Sequence, residues 1–352
     1  MTTDTPTSHA AAGSSRMTIS AIAASIGVSV PSVSKVLNGR SDVAPATRRK
    51  IEKALQEHNY QRNARQAGSS AARLIELVFH ELDSAWSIEI IRGVEQAARR
   101  NGMGVVLSDL GGSHSPDQRW MREVIGRRPH GIILVQSTLT PDQKRQLETR
   151  SIPYVVLDTN GETNLGAPAV GSNNWHGGLS ATRHLLALGH RRIAVVSGPE
   201  DVLCSRARVD GYRAAHAEAG ISPMEDSVRW GNFTVVGGYE HGRELLARPE
   251  RPTAIFAGSD MQALGVLRAA REQGIEVPAQ LSVVGYDDLP LAEWVGPSLT
   301  TVNQPLLEMA DAAASMVLGI ARGTDPKPRS IELATELVVR ESTGPVPEQP
   351  IR

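Results

Sequence analysis

Three short amphipathic segments open the chain. Ile22, Ala23 and Ile26 fall on one face of a helix. Gly27-Val28-Ser29 follows as a turn, and the Ser29 hydroxyl can accept an orphan amide of the next helix. Val33, Val36 and Leu37 form the inner stripe of that second helix. Pro31 lies in its first turn, where a missing N–H costs little, and Asn38-Gly39 ends it. A third helix runs from about Pro45 to His58 with Ile51 and Leu55 inward. A helix, a short Gly-containing turn and a second helix predict a helix-turn-helix head over 17–60. The second helix presents Val30, Pro31, Ser32, Ser34 and Lys35 opposite its apolar stripe, on a face suited to the major groove.

From residue 74 the pattern changes. Short apolar, β-branched runs occur at 74–79, 105–107, 132–135, 154–157, 193–196, 254–257 and 282–286. Amphipathic helical stretches fit between them at about 87–100, 117–127, 177–188, 206–218, 238–247 and 260–273. Buried strands alternating with helices predict parallel sheets with right-handed crossovers. About 280 residues exceed one such sheet, so the body reads as two doubly wound α/β lobes. Ligands of such sheets bind beyond the carboxyl ends of the strands. That places the candidate site in the loops 80–86, 172–176, 197–208, 258–260 and 286–294.

Charge changes the picture. The 352 residues hold 37 Lys+Arg and 38 Asp+Glu, a net −1 that argues against nucleic acid if it is spread evenly. It is not. Residues 16–66 carry nine basic and three acidic side chains, +6, which leaves −7 elsewhere. A basic module on an acidic body is a nucleic-acid footprint, although a solvated helix face gives the same count. The single cysteine, Cys204, excludes an internal disulfide framework and a multi-cysteine metal site. No apolar run reaches about 18 residues, so no membrane contact is expected. The first sixteen residues contain no signal-peptide core and read as a disordered tail, and the expectation is a cytoplasmic protein.

The run "TISAIAASIGVSVPSVSKVLNGRSDVAPATRRKIEKALQEHNY" (18–60) resembles the headpiece of the lactose-repressor, or LacI/GalR, family. The resemblance continues through "VGSNNWHGG" (170–178), "HLLALGHRRIAVVSGPE" (184–200), "RARVDGYRAA" (206–215), "AIFAGSDMQALGVLRA" (254–269) and "LSVVGYDDLPLAEWVGPSLTTVNQP" (281–305). It implies a ligand-controlled repressor that binds double-stranded operator DNA as a homodimer. Its body would have the fold of periplasmic sugar-binding proteins, with three crossings between lobes. The implied division is a head (17–60), a hinge or linker (61–73), a body (74–342) and a tail (343–352). Lobe 1 takes about 74–171 and 303–333, and lobe 2 takes 172–302 and 335–341.

The resemblance implies base contacts by Val30, Pro31 and Lys35, of which Lys35 alone can bond guanine strongly. Ser32, Ser34, Asn38 and Thr47 would touch phosphates, and Thr18 and Asn63 complete the DNA-binding set. The linker "QRNARQAGSSAAR" departs from the family. The usual hinge proline is Arg62, and the minor-groove leucine wedge falls at Ser69 beside Gly68. Gly and Ser disfavour helix, and Ser cannot wedge, so a flexible tether carrying Arg62, Arg65 and Arg73 is expected.

For the cleft, the resemblance implies that Arg208 holds ligand hydroxyls or a carboxylate, Asp287 accepts from hydroxyls, and Phe233 stacks on the ligand. Asn174, Cys204, Ser259, Asp260 and Gln304 line or support the pocket, with Cys204 where a hydroxyl residue is common and Trp86 where an aromatic is common. Asp260 reads equally as a helix cap, while the alternative for Arg208, less favoured in its context, is a salt bridge on a helix surface. Four of five tryptophans, Trp86, Trp175, Trp230 and Trp294, fall in expected cleft loops, while Trp120 lies on a helix elsewhere. Aromatic walls with a few polar groups suit a sugar or short oligosaccharide; the same tryptophans also serve as core or interface anchors. No cofactor or metal is expected. Neither GxGxxG, a P-loop, GxSxG nor HExxH stands at a usable position, so an enzyme is not expected. The alternative, a solute-binding protein of a sugar transporter, conflicts with the attached head.

Overall fold

The computed structural model describes residues 18–37, 42–58, 60, 73–82, 84–158, 166–224 and 226–347. The expected tail 1–16, nearly all of the linker 61–73, and the candidates Asn38 and Asn63 lie outside the described residues.

Three helices form the head: α1 (Ile19–Ser25), α2 (Val30–Leu37) and α3 (Pro45–Glu57). The axis turns by 113° between α1 and α2, within the about 90–120° of a helix-turn-helix. Thr18 caps α1 by accepting from Ala21 N at 3.2 Å. Ile22, Val33, Val36, Leu37, Ile51 and Leu55 close a small core.

The chain then builds β1 (Leu74–Phe79), α4 (Ala85–Arg100), β2 (Gly104–Asp109), α5 (Gln118–Arg127), β3 (Gly131–Val135), α6 (Pro141–Thr149), β4 (Tyr154–Leu157) and β5 (Ala169–Ser172). It passes to a second lobe through α7 (Asn174–Ala187), β6 (Ile193–Ser197), α8 (Leu203–Glu218), β7 (Val228–Trp230), α9 (Val235–Leu246), β8 (Ala254–Ala257), α10 (Asp260–Glu272), β9 (Ser282–Asp287) and β10 (Thr300–Asn303). It returns with α11 (Leu306–Ala321) and β11 (Ser330–Leu333), then crosses once more into β12 (Glu336–Val338). The sheet orders are β11-β5-β4-β3-β1-β2 and β12-β10-β9-β8-β6-β7. All recorded pairings are parallel except β10 with β12. The central strands β3, β6, β8 and β9 are buried along their whole length, because helices cover both faces.

Helices α4, α7, α8 and α9 start two to three residues earlier than the sequence pattern indicates. Trp86, Asn174, Trp175 and Cys204 therefore belong to first helical turns, not to loops. The pattern also missed α6, α11, β5, β7, β10 and β11. Helix α11 is apolar over most of its surface and packs on α4 and the first sheet, so it has little polar face to mark its period.

Helices α7 and α8 approach at backbone contact. A Cβ on Gly178 would collide with the Arg208 carbonyl oxygen, and one on Gly211 with the Trp175 carbonyl oxygen. Backbone cannot yield as a side chain can, so Gly178→Ala should cost about 1–3 kcal/mol in urea unfolding. Gly126→Ala in α5 meets nothing within 4 Å. It should gain about 0.5–1 kcal/mol, and equal losses in both variants would refute the collision account.

Candidate effector cleft and DNA-reading face

The two sheets point their carboxyl ends at one another. A small inner chamber of about 80 Å³ lies between them, lined by Gln136 and Asp158 from lobe 1 and by Cys204, Arg208, Ser259 and Asp287 from lobe 2. Ser84, Trp86, Phe233 and Met261 complete it. Gln136, Asp158, Phe233 and Asp287 all have positive φ (47°, 53°, 60° and 105°). Four non-glycine residues in that region around one chamber mark backbone strain held at a site.

Arg208 is 3% exposed. Its Nε donates to Asn174 Oδ1 at 2.8 Å, and its Nη1 donates to the Gly258 carbonyl oxygen. Its Nη2 lies 3.9 Å from Asp287 Oδ1. The guanidinium stacks 3.6 Å over the Tyr286 ring and 5.5 Å from the Phe233 centroid. Burial pushes the Asp287 carboxyl well above the ordinary carboxylate range; Arg208 pulls it back, and Asp260 and Asp158 push it further up. Burial also raises Asp158, which accepts from Gln136 Nε2 at 2.8 Å. The Cys204 thiol is pushed up to about 12, by burial first and then by Asp158, so it stays neutral beside the chamber.

The other cleft candidates divide. Ser259 caps α10 and donates to the Phe233 carbonyl oxygen at 3.1 Å. Asn174 supports Arg208 and does not line the chamber. Gln304 accepts from Trp86 Nε1 at 3.2 Å and donates to Ser172 Oγ at 2.8 Å, so it positions Trp86 where the chain crosses between lobes. Asp260, expected to line or support the pocket, does not line the chamber. It is buried away from the chamber, accepts from Leu289 N at 2.7 Å and from Thr301 Oγ1 at 2.6 Å, and leaves the cap to Ser259.

The tryptophan reading is also corrected. Trp86 alone of the four lines the cleft. Trp294 is 86% exposed and precedes Val295, Gly296 and Pro297 on the wall of a different groove on lobe 2. Trp175 is 44% exposed at the start of α7, and Trp230 packs on the lobe 2 core. Sequence reasoning missed Gln136 and Asp158, although both directly follow strands and the strand-end rule would have reached them. It also missed a wider outer chamber of about 410 Å³, which includes His80 and His114 and joins the inner one at Trp86, Gln136 and Phe233.

On the head, Val30 is 42% exposed and Pro31 is exposed at the start of α2. Ser32 Oγ lies 2.9 Å from Ser29 Oγ. Ser34 and Thr47 are half-buried. Lys35 reaches Asp42 at 2.8 Å. Both partners are largely exposed, so this pair holds the ammonium weakly. The carbonyl end of α2 faces lobe 1, where Arg150 Nη2 donates to Val36 O at 3.3 Å and Arg128 Nη2 to Leu37 O at 3.5 Å.

A helix-turn-helix head joined to a two-lobed body with a polar cleft defines a DNA-binding transcriptional regulator controlled by a small molecule. Residues 18–63 match the model of bacterial regulatory proteins of the lacI family, and residues 182–343 match a periplasmic binding protein-like domain. The HTH-type transcriptional repressor PurR of Vibrio campbellii is 34% identical over 92% of this chain and 98% of its own. A transcriptional regulator CelR–cellobiose complex superposes with a TM-score of 0.70 at 34% identity, covering 93% of this chain and 100% of that one. The lac repressor dimer bound to operator and the anti-inducer ONPF gives 0.67 at 27% identity over 94% and 100%. The chain belongs to the lacI family of bacterial regulatory proteins.

Arg208→Met would leave Asp287 and Asp158 buried without their counter-charge. Breaking such a pair should cost about 3–5 kcal/mol in urea unfolding at pH 8. Both carboxyls already have raised folded-state pKa values, so the penalty accumulates as pH rises and fades as they protonate. The loss should therefore be smaller at pH 5; an equal loss at both pH values would refute the charge account.

Proposed function

We propose that this chain represses transcription as a dimer on a pseudo-palindromic operator and is released by a neutral carbohydrate bound between its lobes. The observation that carries the effector reading is the engaged state of Arg208. Its charge faces the carboxylates Asp287 and Asp158, so the chamber has no spare positive charge for an anionic ligand. Hydroxyl groups suit it, because they donate to carboxylates and accept from amides. The cellobiose bound by CelR, a relative of matching length, supports the same chemistry. Ligand between the lobes favours one lobe arrangement and weakens DNA binding by a coupling of about 1–3 kcal/mol.

On DNA, Val30 and Pro31 supply apolar base contacts and Lys35 a guanine contact. Ser32, Ser34, Asn38 and Thr47 hold phosphates, with Thr18 and Asn63 as further DNA-binding candidates. The body binds and does not transform its ligand. Asp288, the partner needed for paired-carboxylate catalysis, is instead bonded to Arg340 Nη2 at 2.7 Å and to Asn303. No described helix is long and apolar enough to cross a membrane. A regulator of this kind works where the DNA is, in the cytoplasm.

The dimer needs an apolar surface on the body, and the groove of about 790 Å³ on lobe 2, whose wall includes Leu264, Leu267, Ile275, Val295 and Pro297, offers one for the second copy. Leu264→Asp should give monomers in sedimentation and remove operator binding, and a variant that stays dimeric would refute this interface.

The functional test is fluorescence anisotropy on DNA from upstream of the chain's own operon, with mono- and oligosaccharides added in turn. Sequence-selective, salt-sensitive binding reversed by a sugar is expected. Lys35→Ala should lose about 1–3 kcal/mol of discrimination at a single base pair. Binding to all sequences alike would overturn the repressor reading, and release by no sugar would overturn the effector reading.

A further inference from the structure

The linker sequence, with Gly68, Ser69 and Ser70, favours helix weakly. Lobe 1 holds the head by a different route. The carboxyl ends of α2, α5 and α6 come together beside the head, with an arginine at the end of each lobe 1 helix. Arg128 is the carboxyl cap of α5, and Arg150 is that of α6. Arg150 donates from Nη1 to the Gln146 carbonyl oxygen of its own helix at 2.8 Å and from Nη2 to Val36 O at 3.3 Å. One guanidinium thus ties the last turns of two helices together. Arg128 Nη2 donates to Leu37 O at 3.5 Å. Unpaired carbonyls and the negative ends of the helix dipoles gather at this point, and the two cations offset them. Burial lowers the Arg150 pKa, Glu52 on α3 raises it, and Arg48 and Arg128 lower it again, so the head supplies part of the counter-charge.

Arg128 is held out for this contact. Its backbone has φ 53°, a conformation that glycine ordinarily supplies at a helix end. Its neighbour Arg127 turns inward, where Nη2 meets the fully buried Glu76 at 2.8 Å. Glu76 also accepts from Ser108 Oγ at 2.7 Å, which roots this corner of α5 in the first sheet. Between α3 and α6 a groove of about 540 Å³ parts the head from lobe 1, with Glu52, Lys53, Asp142 and Arg145 on its walls. The head core contains no lobe 1 side chain. Polar bonds at the end of α2 therefore pin the contact, and no shared apolar core does. Val30 and Pro31 stay exposed in this arrangement, and Lys35 partly so.

Resting on the operator-binding reading above, we propose that Arg128 and Arg150 are positioning residues for DNA recognition: they hold the carboxyl end of α2 on lobe 1 and so set the angle at which the reading helix meets the groove. They touch no DNA themselves. Without them the head keeps its fold and its phosphate contacts, but it loses the fixed orientation on which base readout depends.

The test uses the full-length protein and a duplex that it selects from a random-sequence pool. Arg128→Gly removes the guanidinium and suits the backbone at φ 53°. It should unfold at the same or a higher urea concentration, yet bind the selected duplex about tenfold more weakly. Arg150→Gln should lose a similar factor. Binding to an unrelated duplex and the salt dependence should stay as in the parent, because the same phosphates are held. Docking is read separately, from spin labels on Lys53→Cys and Arg145→Cys across the groove. Cys204 is buried with a neutral thiol and stays unlabelled. The labels should give one narrow distance distribution without DNA, and a broad one once Arg128→Gly and Arg150→Gln are added. A broad distribution in the otherwise unchanged protein overturns the proposal. So does selected-duplex affinity within about twofold of the parent in both single variants. Weaker binding to every duplex with a shallower salt dependence also overturns it, since the arginines then hold phosphates. If Arg128→Gly loses urea stability along with binding, the residue is structural and its positioning role falls. A parent that selects no sequence overturns the operator-binding reading and this role with it, and the distances then decide docking alone.

Discussion

Burial of one guanidinium organises the cleft. Arg208 leaves water only because Asn174, the Gly258 carbonyl oxygen, Asp287 and the Tyr286 ring all meet it. These partners come from α7, the loop after β8, and β9, so the side chain fixes three elements of lobe 2 against one another. The close approach of α7 and α8 at Gly178 and Gly211 sets the distance at which Asn174 can reach it. Asp158 then brings a second buried carboxylate from lobe 1 within electrostatic reach. The charge of lobe 2 is thus satisfied partly across the cleft, and the lobes sense each other before any ligand enters.

Two sets of contacts run from that cleft toward the DNA face. Gln304, at the second lobe crossing, bonds Trp86 on α4 and Ser172 at the end of β5. Trp86, which lines the cleft, is thereby tied to the segment where the chain crosses between the lobes. At the far side of lobe 1, Arg128 and Arg150 donate to the last carbonyls of α2. Cationic donors at a helix carboxyl end complete its unsatisfied carbonyls. The helix that presents Val30, Pro31 and Lys35 is thus attached to lobe 1 as well as to its own small core. A change in lobe 1 orientation would therefore act on where that helix stands, through these bonds.

The head was legible because its three helices are short, separated by clear turn residues, and each buries a stripe of two or three apolar side chains. The central strands were legible for the opposite reason: burial on both faces leaves unbroken apolar runs such as Ile132–Val135. Elements without such a contrast escaped. Strand β5 is only four residues with a glycine, and α11 is apolar nearly all round. In the site, Arg208, Asp287 and Phe233 stood in recognisable motifs. Asp158 and Gln136 did not, because their role comes from strand order, and no local pattern records which strand ends converge. The tryptophans misled for a related reason. A sequence shows that an aromatic lies near a strand end but not which way it turns, and Trp294 turns to solvent.

The division of charge completes the argument. A net of −1 is the sum of +6 in 16–66 and −7 in the remainder. Within about one Debye length of a duplex, phosphates attract the first module and repel the second. The encounter is therefore oriented before any base is read: the head approaches and the body is turned away. The weak exposed pair between Lys35 and Asp42 fits that sequence of events. It keeps the ammonium in place on the free head, and it costs little to exchange for another partner. A buried pair there would make the exchange expensive, and the protein reserves its buried pair for the cleft, where the charge must stay fixed.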